Sequence, residues 1–163
     1  MKKLLFIYLL FIVPSAVFCI DDEYSRATLK GLENFGVIVH LDGIEELSES
    51  RLRAATELKL KSAGVNIIET GDMQSVRDAM IKVEVVGYEA FSGLYYSFGI
   101  RIEVRQHGAF KPRDREGFVG DVETWSLWTV GMVGQRDIDF IAGTVEEYVD
   151  MFISAYYSVN QRE

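Results

Sequence analysis

One cysteine, two histidines, two prolines and two tryptophans among 163 residues set the first limits. Cys19 has no second thiol, so no intramolecular disulfide can form. The fold must therefore rest on hydrophobic burial, not on the cross-links common in small exported domains. His40 and His107 are the only imidazoles. Without further cysteine, a zinc site would need both of them and a carboxylate such as Asp42. No Gly-x-Ser-x-Gly elbow occurs, and Phe91-Ser92-Gly93 reads as part of a hairpin turn. Walker and Gly-x-Gly-x-x-Gly patterns are also missing, so nothing signals a phosphate cradle. Basic charge is scarce, with 17 Lys and Arg against 25 Asp and Glu and a net charge of −8. Nucleic acid partners need a basic face to displace counterions, and this balance argues against them. It also disfavours broad adsorption to anionic lipid. No internal repeat or low-complexity linker breaks the chain.

What is present begins at the N-terminus. Lys2 and Lys3 precede an apolar run from Leu4 to Val13. Pro14, Ser15 and Ala16 follow, then Cys19, then the acidic Asp21, Asp22 and Glu23. A basic start, an apolar centre and a small-residue exit are the parts of a secretory signal. The run falls short of the ~20 apolar residues a spanning helix needs, which favours a cleaved signal over a permanent anchor. Residues 1–19 are thus expected as the signal, with cutting after Cys19 or after Ala16. Acylation of Cys19, as in a bacterial lipoprotein, is the alternative, although bulky Phe18 sits where a small residue is preferred. The expected location is periplasmic or secreted, with membrane attachment only if Cys19 is lipidated. Without Lys2 and Lys3, 15 basic side chains face 25 acidic ones, a balance that favours solubility.

Residues 20–34 read as a polar leader with one helical turn, and residues 35–163 as a single domain, long enough for one core. In the strand from Phe35 to Leu41, Val37, Val39 and Leu41 share a face. A helix is expected over Ser48–Ala63. Ser48 is its N-cap, Leu47 and Leu52 its staple, Leu52, Ala55, Leu58 and Ala63 its apolar stripe, and Gly64 its terminator. A second strand at Val65–Glu69 suggests a right-handed crossover and a parallel pair. Asp72 is expected to cap a short helix through Met73, Val76 and Met80. Alternation then marks strands from Ile81 and from Tyr96, the latter burying Phe98, Ile100, Ile102 and Val104. Lys82 and Glu84 are expected opposite its charged row. Residues 107–121 read as a loop, 122–133 as a strand, and the chain from Arg136 as a long helix with Ile141, Val145, Tyr148, Val149, Phe152 and Ala155 inward. These elements imply an α+β fold, a two-layer sandwich with two long helices on one face of a mostly antiparallel sheet of about five strands.

Several segments carry a resemblance: Leu58 to Gly64, Thr124-Trp125-Ser126, Val130 to Gly134, and Phe152 to Asn160. In these the chain resembles small exported bacterial envelope proteins of unassigned function. The resemblance implies an envelope location and no catalytic residues. In topology alone the chain is similar to the N-terminal domain of the TolB family.

The paired acids Glu45/Glu46, Asp137/Asp139 and Glu146/Glu147 read as solvated surface. Lys111-Pro112-Arg113-Asp114-Arg115-Glu116 is the one basic cluster, able to hold phosphate or an acidic sugar through arginine, although Asp114 and Glu116 dilute it and favour a solvated loop. The aromatics are in surplus, since Tyr88, Tyr95, Phe110, Phe118, Trp125 and Trp128 do not all fit the assigned faces. Those left exposed could stack on a glycan or peptide; otherwise they fill a small second cluster under residues 107–121. The expected function is a non-enzymatic binding module for an envelope protein or polymer, with no cofactor and no metal. Its contact residues are expected to be Arg101, Arg105, Arg113, Arg115 and Trp128. The alternative is a small secreted hydrolase using His40 with nearby carboxylates.

Overall fold

In a computed structural model the backbone is described for residues 17–110 and 118–160, and side chains for 21–107 and 120–160. Most of the expected signal, together with Arg113 and Arg115, lies outside the described residues, as do the side chains of Phe110 and Phe118.

The elements run β1 (Val17–Ile20), α1 (Glu23–Ala27), β2 (Asn34–Asp42), α2 (Glu49–Ser62), β3 (Asn66–Ile67), β4 (Asp78–Ala90), β5 (Tyr95–Phe110), β6 (Phe118–Gly134) and α3 (Asp139–Val159). The fold is mixed α/β, and its mostly antiparallel sheet has the order β1-β6-β5-β4-β2-β3. The β1–β6, β6–β5 and β5–β4 pairs are antiparallel, and β2 lies parallel to both β3 and β4.

Strand alternation decides the faces. Val37, Ile81, Val104 and Trp125 stand opposite one another across four strands, and all are buried. Val39, Val83, Ile102 and Leu127 form the next buried row. Helix α3 contributes Ile141, Val145, Tyr148, Val149, Phe152 and Ala155 to the same core, as its periodicity requires. The Phe152 ring meets Phe35 and Trp125 edge-on, each at a centroid distance of 5.5 Å. The Tyr157 hydroxyl donates to the Ala63 carbonyl at the end of α2 (2.8 Å).

Four expectations need correction. Helix α2 starts at its Ser48 cap and ends before Gly64 (φ +85°), but it buries Leu52, Thr56 and Leu60. Leu58 is 68% exposed. At ~100° per residue, Leu58 and Leu60 point to nearly opposite sides, and a buried Thr56 hid the true stripe.

No helix forms through Met73–Met80. A 3-10 turn spans Thr70–Asp72, and the Asp78 carboxylate then accepts the Gln74 and Ser75 amides at 2.8 and 2.7 Å. That local bonding competes with helix and starts β4 instead. The stretch read as a 107–121 loop is largely ladder: β5 and β6 stay paired out to Phe110 and Phe118. The leader belongs to the core as well. Asp22 and Ser25 cap α1 reciprocally, and Leu29 and Leu32 are buried.

Candidate functional site

Opposite the core, the same alternation lays out a second face. One row across it reads His40, Glu84, Arg101, Trp128, and the next reads Ile38, Lys82, Glu103, Ser126. Lys82 and Glu84 thus stand across from Glu103 and Arg101, as the alternation predicted. Glu103 is nearly buried and lies between two guanidinium groups, with Arg101 Nε at 3.0 Å and Arg105 Nη1 at 2.9 Å. Arg101 also pairs with Glu123, and Lys82 with Glu84 at 3.4 Å. A carboxylate withdrawn from water needs such partners. Arg105 further donates to the Asp121 carbonyl (3.2 Å). Arg101 and Arg105 are therefore both engaged, within a patch where Lys82, Arg101 and Arg105 balance Glu84, Glu103 and Glu123.

Beyond Arg101 the face turns apolar. Val86, Gly99 and Val130 form one row, and Tyr88, Ser97 and Met132 the next. The small pair Ser97 and Gly99 lies on central β5, between larger side chains of β4 and β6. A shallow depression of about 450 Å³ opens there, with Gly99 in its floor and Val86, Trp128 and Val130 in its walls. Glu84 and Arg101 close one end. Trp128 is 37% exposed, Val130 50% and Tyr88 70%.

Of the expected contact residues, Arg101, Arg105 and Trp128 share this face. Gly99, Ser97 and Val86 were missed because small and aliphatic residues carry no chemical signature. Only their place in the alternation could have marked them. The aromatic surplus divides. Trp125 belongs to the core and donates its indole N–H to Asp21 (2.8 Å). Hydrogen bonds from Arg26, then Trp125, hold the Asp21 carboxyl below its ordinary range although burial pushes it up.

The two imidazoles do not converge. His40 is exposed in the Arg101 row. His107 pairs with Asp121 (Nδ1–Oδ1 3.2 Å) beyond the other end of the charged patch. Along the strand direction they are separated by more than ~15 Å. Among the described residues no group of His, Cys, Asp and Glu could hold a metal ion, and no helix is long and apolar enough to cross a membrane.

No family model matches the chain, and no curated protein does. Among solved structures it is similar to a PelC dodecamer from Paraburkholderia phytofirmans in a single-substitution form. Identity is 12%, the match covers 86% of this chain and 97% of that one, and the TM-score is 0.49. A second PelC dodecamer from the same organism gives 11% identity, 87% and 96% coverage and a TM-score of 0.48. At that distance nothing about activity, partners or assembly passes to the present chain, and neither structure bears on the TolB likeness.

Proposed function

We propose that this chain is an exported, non-enzymatic binding module that holds an envelope protein or polymer on the sheet face opposite its core. In this reading the fold is a two-layer sandwich with its helices on one side and the contact surface on the other. The observation that carries the reading is the apolar depression beside a self-paired charge patch, bringing Arg101, Arg105 and Trp128 onto one surface. The expected export signal supports the location, periplasmic or secreted, with a lipid anchor at Cys19 as the alternative.

The test is a photo-cross-linking residue at Ser97, read in intact cells against the same probe at Glu146 on the exposed side of α3. Adducts are expected from Ser97 and not from Glu146. They should weaken when Arg101 and Trp128 are both replaced by alanine in a protein that still folds. Equal labelling from both positions rejects this face.

Processing has its own readout. A cut after Cys19 removes three of the four β1 residues that pair with β6, whereas a cut after Ala16 leaves the strand whole. The intact mass of the protein recovered from cells distinguishes the two, and a mass increment at Cys19 identifies lipidation.

A further inference from the structure

Strand glycines usually have an internal reason, and here most do. A Cβ at Gly36 would lie 2.8 Å from Thr70 and Met73 side chains, one at Gly87 would lie 2.3 Å from Ile44, and one at Gly131 would lie 2.7 Å from the Phe98 ring. In each case the chain's own atoms occupy the space. Gly99 differs. A Cβ there would meet nothing closer than 3.9 Å, and its φ is not positive. Neither packing nor backbone conformation requires glycine, although glycine weakens a strand interior. The space over it is the depression itself.

We propose that this space is the seat of an uncharged glycan segment, one sugar ring resting over Gly99 beside the face of Trp128. The inference rests on the binding role proposed above and names its ligand class. Three features on this face select that chemistry. The first is charge. The three cations and three carboxylates already pair with one another, so a polyanion or polycation would have to break those pairs to gain contacts. Sugar hydroxyls donate and accept, and can bond at the end that Glu84 and Arg101 close without displacing either. The second is the walls. Sugar rings present C–H faces that pack on indole and aliphatic groups, and Trp128, Val86 and Val130 supply both. The third is shape. The depression runs across three strands, from Glu84 and Val86 of β4 over Gly99 and Arg101 of β5 to Trp128 and Val130 of β6. The volume of about 450 Å³ is open at the surface, which suits a segment of a chain rather than an enclosed small molecule.

Native affinity electrophoresis of the purified full-length or naturally processed protein tests this. The gels carry a neutral β-glucan or a soluble N-acetylhexosamine polymer, with polygalacturonate and chitosan as charged controls. Retardation by at least one neutral polymer is expected, unchanged by 1 M NaCl. Gly99→Val should weaken it at least tenfold while leaving the melting temperature within a few degrees, because a Cβ there meets nothing closer than 3.9 Å and a β-branched residue suits a strand. Trp128→Ala should do the same, with buried Trp125 fluorescence reporting an intact core. Retardation by charged polymers alone, or wild-type binding by Gly99→Val, overturns the glycan assignment. If no neutral polymer binds but Ser97 still cross-links a protein in cells, the glycan falls and the binding face stands. If both are silent, both fall.

Discussion

Phe152 sits where three aromatic contacts meet, against Phe35, Trp125 and Tyr156. Replacing it with alanine removes most of that packing and leaves a cavity, so Phe152→Ala is expected to cost ~3–5 kcal/mol in urea unfolding. Asp78 gives a prediction with a sign. The hydrogen bond from the Asn34 side chain (2.7 Å), then the Ser75 and Gln74 amides, hold its carboxyl below the ordinary range, against the opposing effect of burial. Its folded value thus lies below the unfolded one, near ~3.9. The stabilisation is present above that unfolded value and drains away as pH falls through the folded one. Denaturant titrations between pH 6 and pH 2 should show a steep acid limb, shallower in Asp78→Asn. Identical slopes in the two proteins would refute the role given to this carboxylate.

At the scale of elements, two glycines with positive φ separate conformational cost from crowding. Gly31 (φ +77°) has open space where a Cβ would go, whereas a Cβ at Gly43 (φ +74°) would fall 1.9 Å from the Gly87 carbonyl oxygen. Gly31→Ala is therefore expected to cost ~1 kcal/mol, the left-handed penalty alone. Gly43→Ala should cost distinctly more, since the end of β2 must move away from β4. Thermal melts of the two variants side by side decide it. The helices illustrate another limit. Helix α3 was legible because its buried positions are apolar throughout. Helix α2 was misread in phase because Thr56 is buried while exposed Leu58 carries the oily side chain. Likewise the charged tips of β5 and β6 looked like loop, because backbone pairing there, from His107 with Asp121 to Phe110 with Phe118, needs no apolar alternation.

For the whole molecule, the sheet order predicts a gradient of local stability. Strands β4 and β5 are flanked on both sides, whereas β3 pairs through two residues at one edge. Amide hydrogen exchange should be slowest in β4 and β5, and fastest in β3 and in the turn around Ser92. Protection of β3 equal to that of β5 would contradict this topology.

Patterning alone determined the oily faces of the long strand β5 and of α3, where α2 is capped and stopped, and that Arg101 and Arg105 lie on the opposite, wetter side of β5. Those are local properties, set by periods of two and 3.6 along the chain. Only the tertiary structure decided which rows align. It gave β2 its parallel partner β4, closed Glu103 between two arginines, drew Leu29 into the core and left Gly99 uncovered. Register between strands distant in sequence is a property of the assembled sheet, and the empty space above one glycine exists only once its neighbours on both sides are in place.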